Sequence, residues 1–203
     1  MNRGFTIVEL VISVGIFVFM TTLVVAKYGT FNQSTLLTDT AYDTALVIRL
    51  AQTYGVSVKN SGTLGSTANF NAPYGVDFDT ATDACGGSNS SPTTFTMFSD
   101  SSPSTPDGLC GVSDTSITPY AITRGTSITA ICAATDAATC HQSSQSMNRL
   151  AVSFVRPNPE AVICGTRSGA SSCAYTYAEV TLTGSDGSTR IITIRQNGQI
   201  SVQ

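Results

Sequence analysis

The sequence predicts an α+β fold: a long N-terminal α-helix, a membrane half followed by an amphipathic half, packed on a C-terminal antiparallel β-sheet domain. Three observations predict it. An almost unbroken apolar run extends from Phe5 to Ala26. No proline occurs before Pro73, and apolar positions between Lys27 and about Val58 keep helical spacing. Past about residue 60, Ser, Thr, Gly and Asn dominate, with short β-branched runs between clusters of turn-formers.

Length and charge bound the possibilities. A chain of 203 residues holds one domain of ordinary size plus an appendage, with enough apolar residues for a core. The net charge is −3 and only 11% of residues are charged, so solubility rests on uncharged polar side chains. The few Lys and Arg are scattered, which argues against a nucleic-acid surface.

The apolar run admits several readings. A secretory signal has an apolar stretch of about 7–15 residues and a small-residue cleavage site. Here the run is longer, and Val24-Val25-Ala26-Lys27-Tyr28 is a poor site of that kind. A membrane-spanning helix needs about 20 apolar residues, which Phe5–Ala26 supplies. A buried core helix of this length and apolarity is unusual. The physics therefore favours a single span with a cytoplasmic N-terminus, although Arg3 before the run and Lys27 after it give little orientation bias.

The run contains one charge, Glu9. At a helix centre in lipid an acidic side chain costs roughly 2.5–3.5 kcal/mol. Near the start of the span, Glu9 either reaches back to the membrane surface or meets a specific partner.

Six cysteines stand at Cys85, Cys110, Cys132, Cys140, Cys164 and Cys173, all beyond the apolar run. No C-x-x-C spacing occurs and His141 is the single histidine, so a zinc site is poorly supported. An even count downstream of a membrane segment predicts up to three disulfides in an oxidising compartment. Six cysteines allow 15 connectivities. Short loops favour Cys132–Cys140 and Cys164–Cys173, leaving Cys85 with Cys110.

The stretch Arg3-Gly4-Phe5-Thr6-Ile7-Val8-Glu9-Leu10 resembles the processing site of type IV prepilins and pseudopilins. The resemblance implies a leader, residues 1–4, that a dedicated inner-membrane peptidase removes between Gly4 and Phe5. It implies N-methylation of the new terminus, Phe5, and a fifth mature residue, Glu9, that pairs with the Phe5 amine of a neighbouring subunit. The expected partners are other pilin or pseudopilin subunits, the prepilin peptidase, the inner-membrane assembly platform and membrane lipid. The expected place is the cytoplasmic membrane, with an extracytoplasmic C-terminal domain that ends in a periplasmic or surface filament.

After the span (residues 5–26), residues 27–58 read as the amphipathic half of the helix. Leu37, Ala41, Ala45, Ile48 and Gln52 line one face, with Tyr42, Leu46 and Leu50 alongside. The helix is expected to run to about residue 57, with Gly55 and Asn60-Ser61-Gly62 as its stop; a hinge at Gly29 is the alternative. Residues 59–203 are the β domain. Strands are predicted at Tyr74–Phe78, Thr93–Phe98 and Ser127–Cys132 within an irregular region, and a helical turn within Thr139–Met147. Leu150–Val155, Ala161–Cys164, Ala174–Leu182, Arg190–Arg195 and Gln199–Val202 are predicted to form one antiparallel sheet, the last two joined at Asn197-Gly198. The apolar helix face is its expected cover. Ala151–Phe154 with its proline-bearing turn, the run Gly187–Ile194 with Gly198, and Arg49 loosely resemble the GspH/FimT-type minor pseudopilins. That resemblance implies a pilin-like architecture, and some relatives in that branch bind DNA.

Chemistry is sparse. No Ser-His-Asp set, phosphate-binding glycine loop or H-E-x-x-H occurs, and neither an enzyme activity nor a cofactor is expected. Asp77, Asp79 and Asp83 are spaced carboxylates but lack the glycine and closing glutamate of a calcium loop, so no metal is expected. Two function classes remain open: a structural subunit of a pilus, type II secretion or DNA-uptake filament, and a non-assembling single-pass protein with an extracytoplasmic binding domain.

Overall fold

A computed structural model describes residues 5–57, 59–61, 72–79, 91–100, 107–111, 114–140 and 147–203. It opens with α1, Ile7–Val56, a single helix of 50 residues and so about 75 Å long. Thr6 caps it in an extended conformation, its hydroxyl accepting from the Glu9 N–H. The helix passes Gly29 without a break. One helical glycine costs only about 1 kcal/mol, too little to part so long a helix.

α1 ends at Val56, close to the expected end near residue 57, with Ser57 as its cap, whose N–H bonds the Thr53 carbonyl; Gly55, expected to help stop it, lies inside the last turn. Gly55 is needed for close approach: a Cβ there would lie 2.5 Å from the Phe154 carbonyl oxygen and 2.7 Å from the Phe154 Cβ. Helix propensity favours alanine by about 1 kcal/mol, yet the backbone clash wins. Gly55→Ala is expected to destabilise the domain by about 1–3 kcal/mol, read as a lower thermal midpoint; an unchanged or higher midpoint would show that α1 can shift away from Phe154.

Among the described residues ten strands follow, all paired antiparallel. β1 (Tyr74–Asp79), β2 (Thr94–Ser99), β3 (Thr115–Ala121), β5 (Arg149–Phe154), β6 (Ala161–Arg167) and β7 (Ala170–Tyr175) form a six-stranded sheet, order β3-β2-β1-β5-β6-β7. β4 (Ser127–Ala134), β8 (Tyr177–Thr183), β9 (Thr189–Arg195) and β10 (Ile200–Val202) form a four-stranded sheet, order β10-β9-β8-β4. The short α2, Ala137–Cys140, follows β4 and falls at the start of the expected helical turn. The rest of that turn, 141–146, lies outside the described residues, and so do Cys85, Asp83 and His141.

Two expectations are corrected. The C-terminal strands do not make one sheet: β5 and β6 join β1 and β2, while β8–β10 join β4. The predicted strand Ala174–Leu182 is two strands that part at Thr176. There the Thr176 N–H bonds the Ala134 carbonyl, and the chain crosses from the larger sheet to the smaller.

The core lies between α1 and the two sheets. Leu37, Ala41, Ala45, Ile48 and Ala51 bury one stripe of the helix. Against it stand Val76 and Phe78 of β1, Val152 and Phe154 of β5, and Ala178, Val180, Ile192 and Ile194 of β8 and β9. The helix is the cover the sheets need, as expected from its periodicity. Tyr42 and Leu46, placed near that face from the sequence, point outward and are 55% and 57% exposed. Small residues occupy much of the buried stripe, letting helix and strands approach closely.

Candidate functional site: the exposed half of the N-terminal helix

Nothing in the described chain packs on the first half of α1. Ile7–Ala26, 20 residues, is long and apolar enough to cross a membrane, and none of it is buried. At 1.5 Å per residue it spans about 30 Å, the thickness of a bilayer's hydrocarbon core. Phe5 in front of it is 73% exposed. Its hydroxyls are satisfied internally. Ser13 donates to the Glu9 carbonyl at 2.7 Å, Thr21 to the Phe17 carbonyl at 2.9 Å and Thr22 to the Val18 carbonyl at 2.8 Å. Hydroxyls consumed along the helix's own backbone suit a solvent without water, and Glu9 is the one polar side chain of the span left out of that pattern.

Glu9 is the third residue of α1 and lies in its first turn, where the helix dipole favours a negative charge. The spacing Thr6-x-x-Glu9 matches a capping box, a signal present in the sequence that the strand-and-helix reading overlooked. Half of the box is made: the Glu9 N–H donates to Thr6 Oγ1 at 3.3 Å. The reciprocal bond from the Glu9 side chain is not. Among the described residues the carboxylate therefore has no partner, and it stands at one end of the apolar span. Gly4 lies outside the described residues.

Two disulfides join described residues of the β domain. Cys132 bonds Cys140 and Cys164 bonds Cys173, the two short-loop pairs. Cys110 is also disulfide-bonded, and its expected partner Cys85 lies outside the described residues. Cys110 belongs to the loop 107–111, which covers the face of the larger sheet turned away from α1, packing with Phe98, Ala151 and Cys164.

That face is polar where the sequence suggested a calcium loop. Asp77 and Arg149, diagonal neighbours on one face of the adjacent strands β1 and β5, form an ion pair at 2.8 Å, and the Arg149 guanidinium also donates to the Cys110 carbonyl. Burial raises the Asp77 carboxyl to about 6 despite the opposing pull of Arg149. Asp77 is thus a paired structural group and not a free ligand. Asp79 beside it is buried.

Asp100, Asp107 and Asp114 were not singled out from the sequence, because only the loop brings them together. Carboxylate oxygens of the three lie within 4.8 Å of one another. Each accepts a backbone N–H of that loop: Gly108 to Asp100 at 2.9 Å, Leu109 to Asp107 at 2.9 Å and Gly111 to Asp114 at 2.7 Å. Holding the loop's amides accounts for their placement.

Together these features define an α+β protein with one N-terminal apolar helix capable of spanning a membrane and a disulfide-stapled antiparallel β domain at its far end. No family model, curated protein or solved structure matches the chain.

Proposed function

We propose that this chain is a structural subunit, a minor pilin or pseudopilin, of a pilus, type II secretion or DNA-uptake filament. In this reading the leader is cut after Gly4, Phe5 is N-methylated, and the subunit enters the filament through α1. The observation that carries it is the Glu9 carboxylate, without a partner among the described residues, in the first turn of a helix about 75 Å long that divides into a bare apolar half and a packed half. A lone carboxylate beside lipid needs a cation, and the amine exposed at Phe5 of a neighbouring copy supplies one. The disulfides suit an extracytoplasmic β domain, so the N-terminus faces the cytoplasm. The motif around Gly4 and Phe5 supports the processing steps.

Mass spectrometry of the mature N-terminus tests this reading. A methylated Phe5 terminus is the expected result. A chain that keeps Met1 in a host with the peptidase would favour the non-assembling single-pass alternative.

A further inference from the structure

A sheet edge is a row of unpaired backbone donors and acceptors, and folded chains normally block it. Three of the four edges here are blocked. β10 lies beside α1, where Arg49 donates to the Ile200 carbonyl at 3.3 Å and Gln52 to the Gly198 carbonyl at 3.2 Å. β4 is closed by the Ile128 N–H bonding the Pro92 carbonyl and the Met147 N–H bonding the Ile131 carbonyl. β3 carries Pro119 and a register shift against β2.

β7 has a register shift against β6 beyond Ser172, but its turn-side stretch Ala170–Ser172 pairs regularly, and among the described residues neither a proline nor a covering hydrogen bond closes it. Ala170-Ser171-Ser172-Cys173-Ala174 is exposed, uncharged and free of proline. The turn Ser168-Gly169, both with positive φ, makes Arg167 and Ala170 the hydrogen-bonded pair that closes the hairpin. The next pair, Thr166 and Ser171, is then a non-hydrogen-bonded one, its hydroxyls 2.8 Å apart. In such a pair the backbone N–H and carbonyl of Ser171 face away from β6, toward the open edge. The Cys164–Cys173 disulfide ties the strand to β6, holding the edge in place.

From this edge we propose that β7 binds an extended segment of a different polypeptide by strand addition, with a basic side chain at the Cys173 end. A second copy of this chain fits poorly. Antiparallel pairing of two β7 strands needs a two-fold axis perpendicular to the sheet, which would point two α1 helices in opposite directions. Copies sharing one membrane cannot do that. Adding β3 of a copy in the same orientation meets Pro119. The charge preference follows from Asp107: its carbonyl oxygen lies 3.3 Å from Cys173 Sγ, so the Asp100–Asp107–Asp114 carboxylates sit beside that end of the strand. Arg167 stands at the turn end and disfavours a second basic residue there. The proposal does not depend on the filament reading.

The test uses the full chain in lipid nanodiscs and a fluorescent peptide of alternating Thr and Val with one Lys near an end, followed by anisotropy. Saturable binding is expected. Ser171→Pro removes the outward N–H without breaking a bond to β6, and should weaken binding about tenfold or more. Ser171→Ala, which keeps that N–H, should bind as the parent does. N-methylation of the peptide amides on one edge should abolish binding, and on the other edge leave it. A peptide with Glu in place of Lys should bind more weakly, and Asp107→Asn should narrow that difference. No saturable binding, equal affinity for Ser171→Pro at an unchanged thermal midpoint, or indifference to both N-methylation patterns would overturn the proposal.

Discussion

If the chain is the filament subunit proposed above, Glu9→Ala is expected to leave membrane insertion intact while removing the chain from filaments. The two effects have opposite causes. Deleting a carboxylate from an apolar span makes insertion easier, by up to roughly 2.5–3.5 kcal/mol for a group at mid-membrane and less near the boundary. Deleting it also removes the partner proposed for the Phe5 amine of a neighbour. A charge-assisted hydrogen bond contributes about 1.5–3 kcal/mol, so incorporation should fall about tenfold or more. The measurement is the share of the subunit in sheared or gradient-purified filaments, set against its amount in membranes. If Glu9 only reached back to the membrane surface, the variant would assemble normally, and the pairing would be wrong. Glu9→Gln separates charge from shape: it keeps the side chain and the Thr6 cap, and should assemble as poorly as alanine.

Arg149→Met should be the most damaging single change in the β domain. It leaves the Asp77 carboxylate buried without its cation and the Cys110 carbonyl without its donor. Breaking a buried pair from one side costs about 3–5 kcal/mol. The loss should depend on pH. Asp77 already titrates at about 6 in the folded chain, above its ordinary 3.8, because burial disfavours its charge. A carboxyl raised in the folded state adds stability in full below pH ~4 and loses it as pH rises through the folded value. Without Arg149 that value rises further, so the variant should lose most at pH 7 and clearly less at pH 5. Asp77→Asn in the same chain removes the unpaired charge and should recover part of the loss. Chemical denaturation at both pH values, on the detergent-solubilised chain, gives the comparison. An equal loss at pH 5 and pH 7 would mean that packing, and not the Asp77 charge, is what Arg149 supplies.

The sequence by itself determined the long helix, its division into an apolar span and an amphipathic half, the motif around Gly4, Phe5 and Glu9, and most strands. These are legible because each rests on local information: a period along the chain, a cluster of turn-formers, a short motif. Only the tertiary structure decided how the strands divide. β7 and β8 read as one run from Ala174 to Leu182 because nothing in the residues marks the crossing at Thr176; it is set by bonds to Ala134 and Gln196, distant along the chain. β3 and most of β7 were missed because neither buries a face, so neither shows an alternating pattern, and Pro119 argues against a strand that is nonetheless made; the edges β4 and β10, which do bury residues, were legible. Whether Gly29 bends the helix, and which neighbours of the buried stripe turn outward, were likewise open until the sheets were in place. Asp100, Asp107 and Asp114 meet only because a loop stapled through Cys110 folds back over the sheet. A residue's partners across the fold leave no periodic trace in the chain, so the apolar span could be read from the sequence, whereas the open edge of β7 could not.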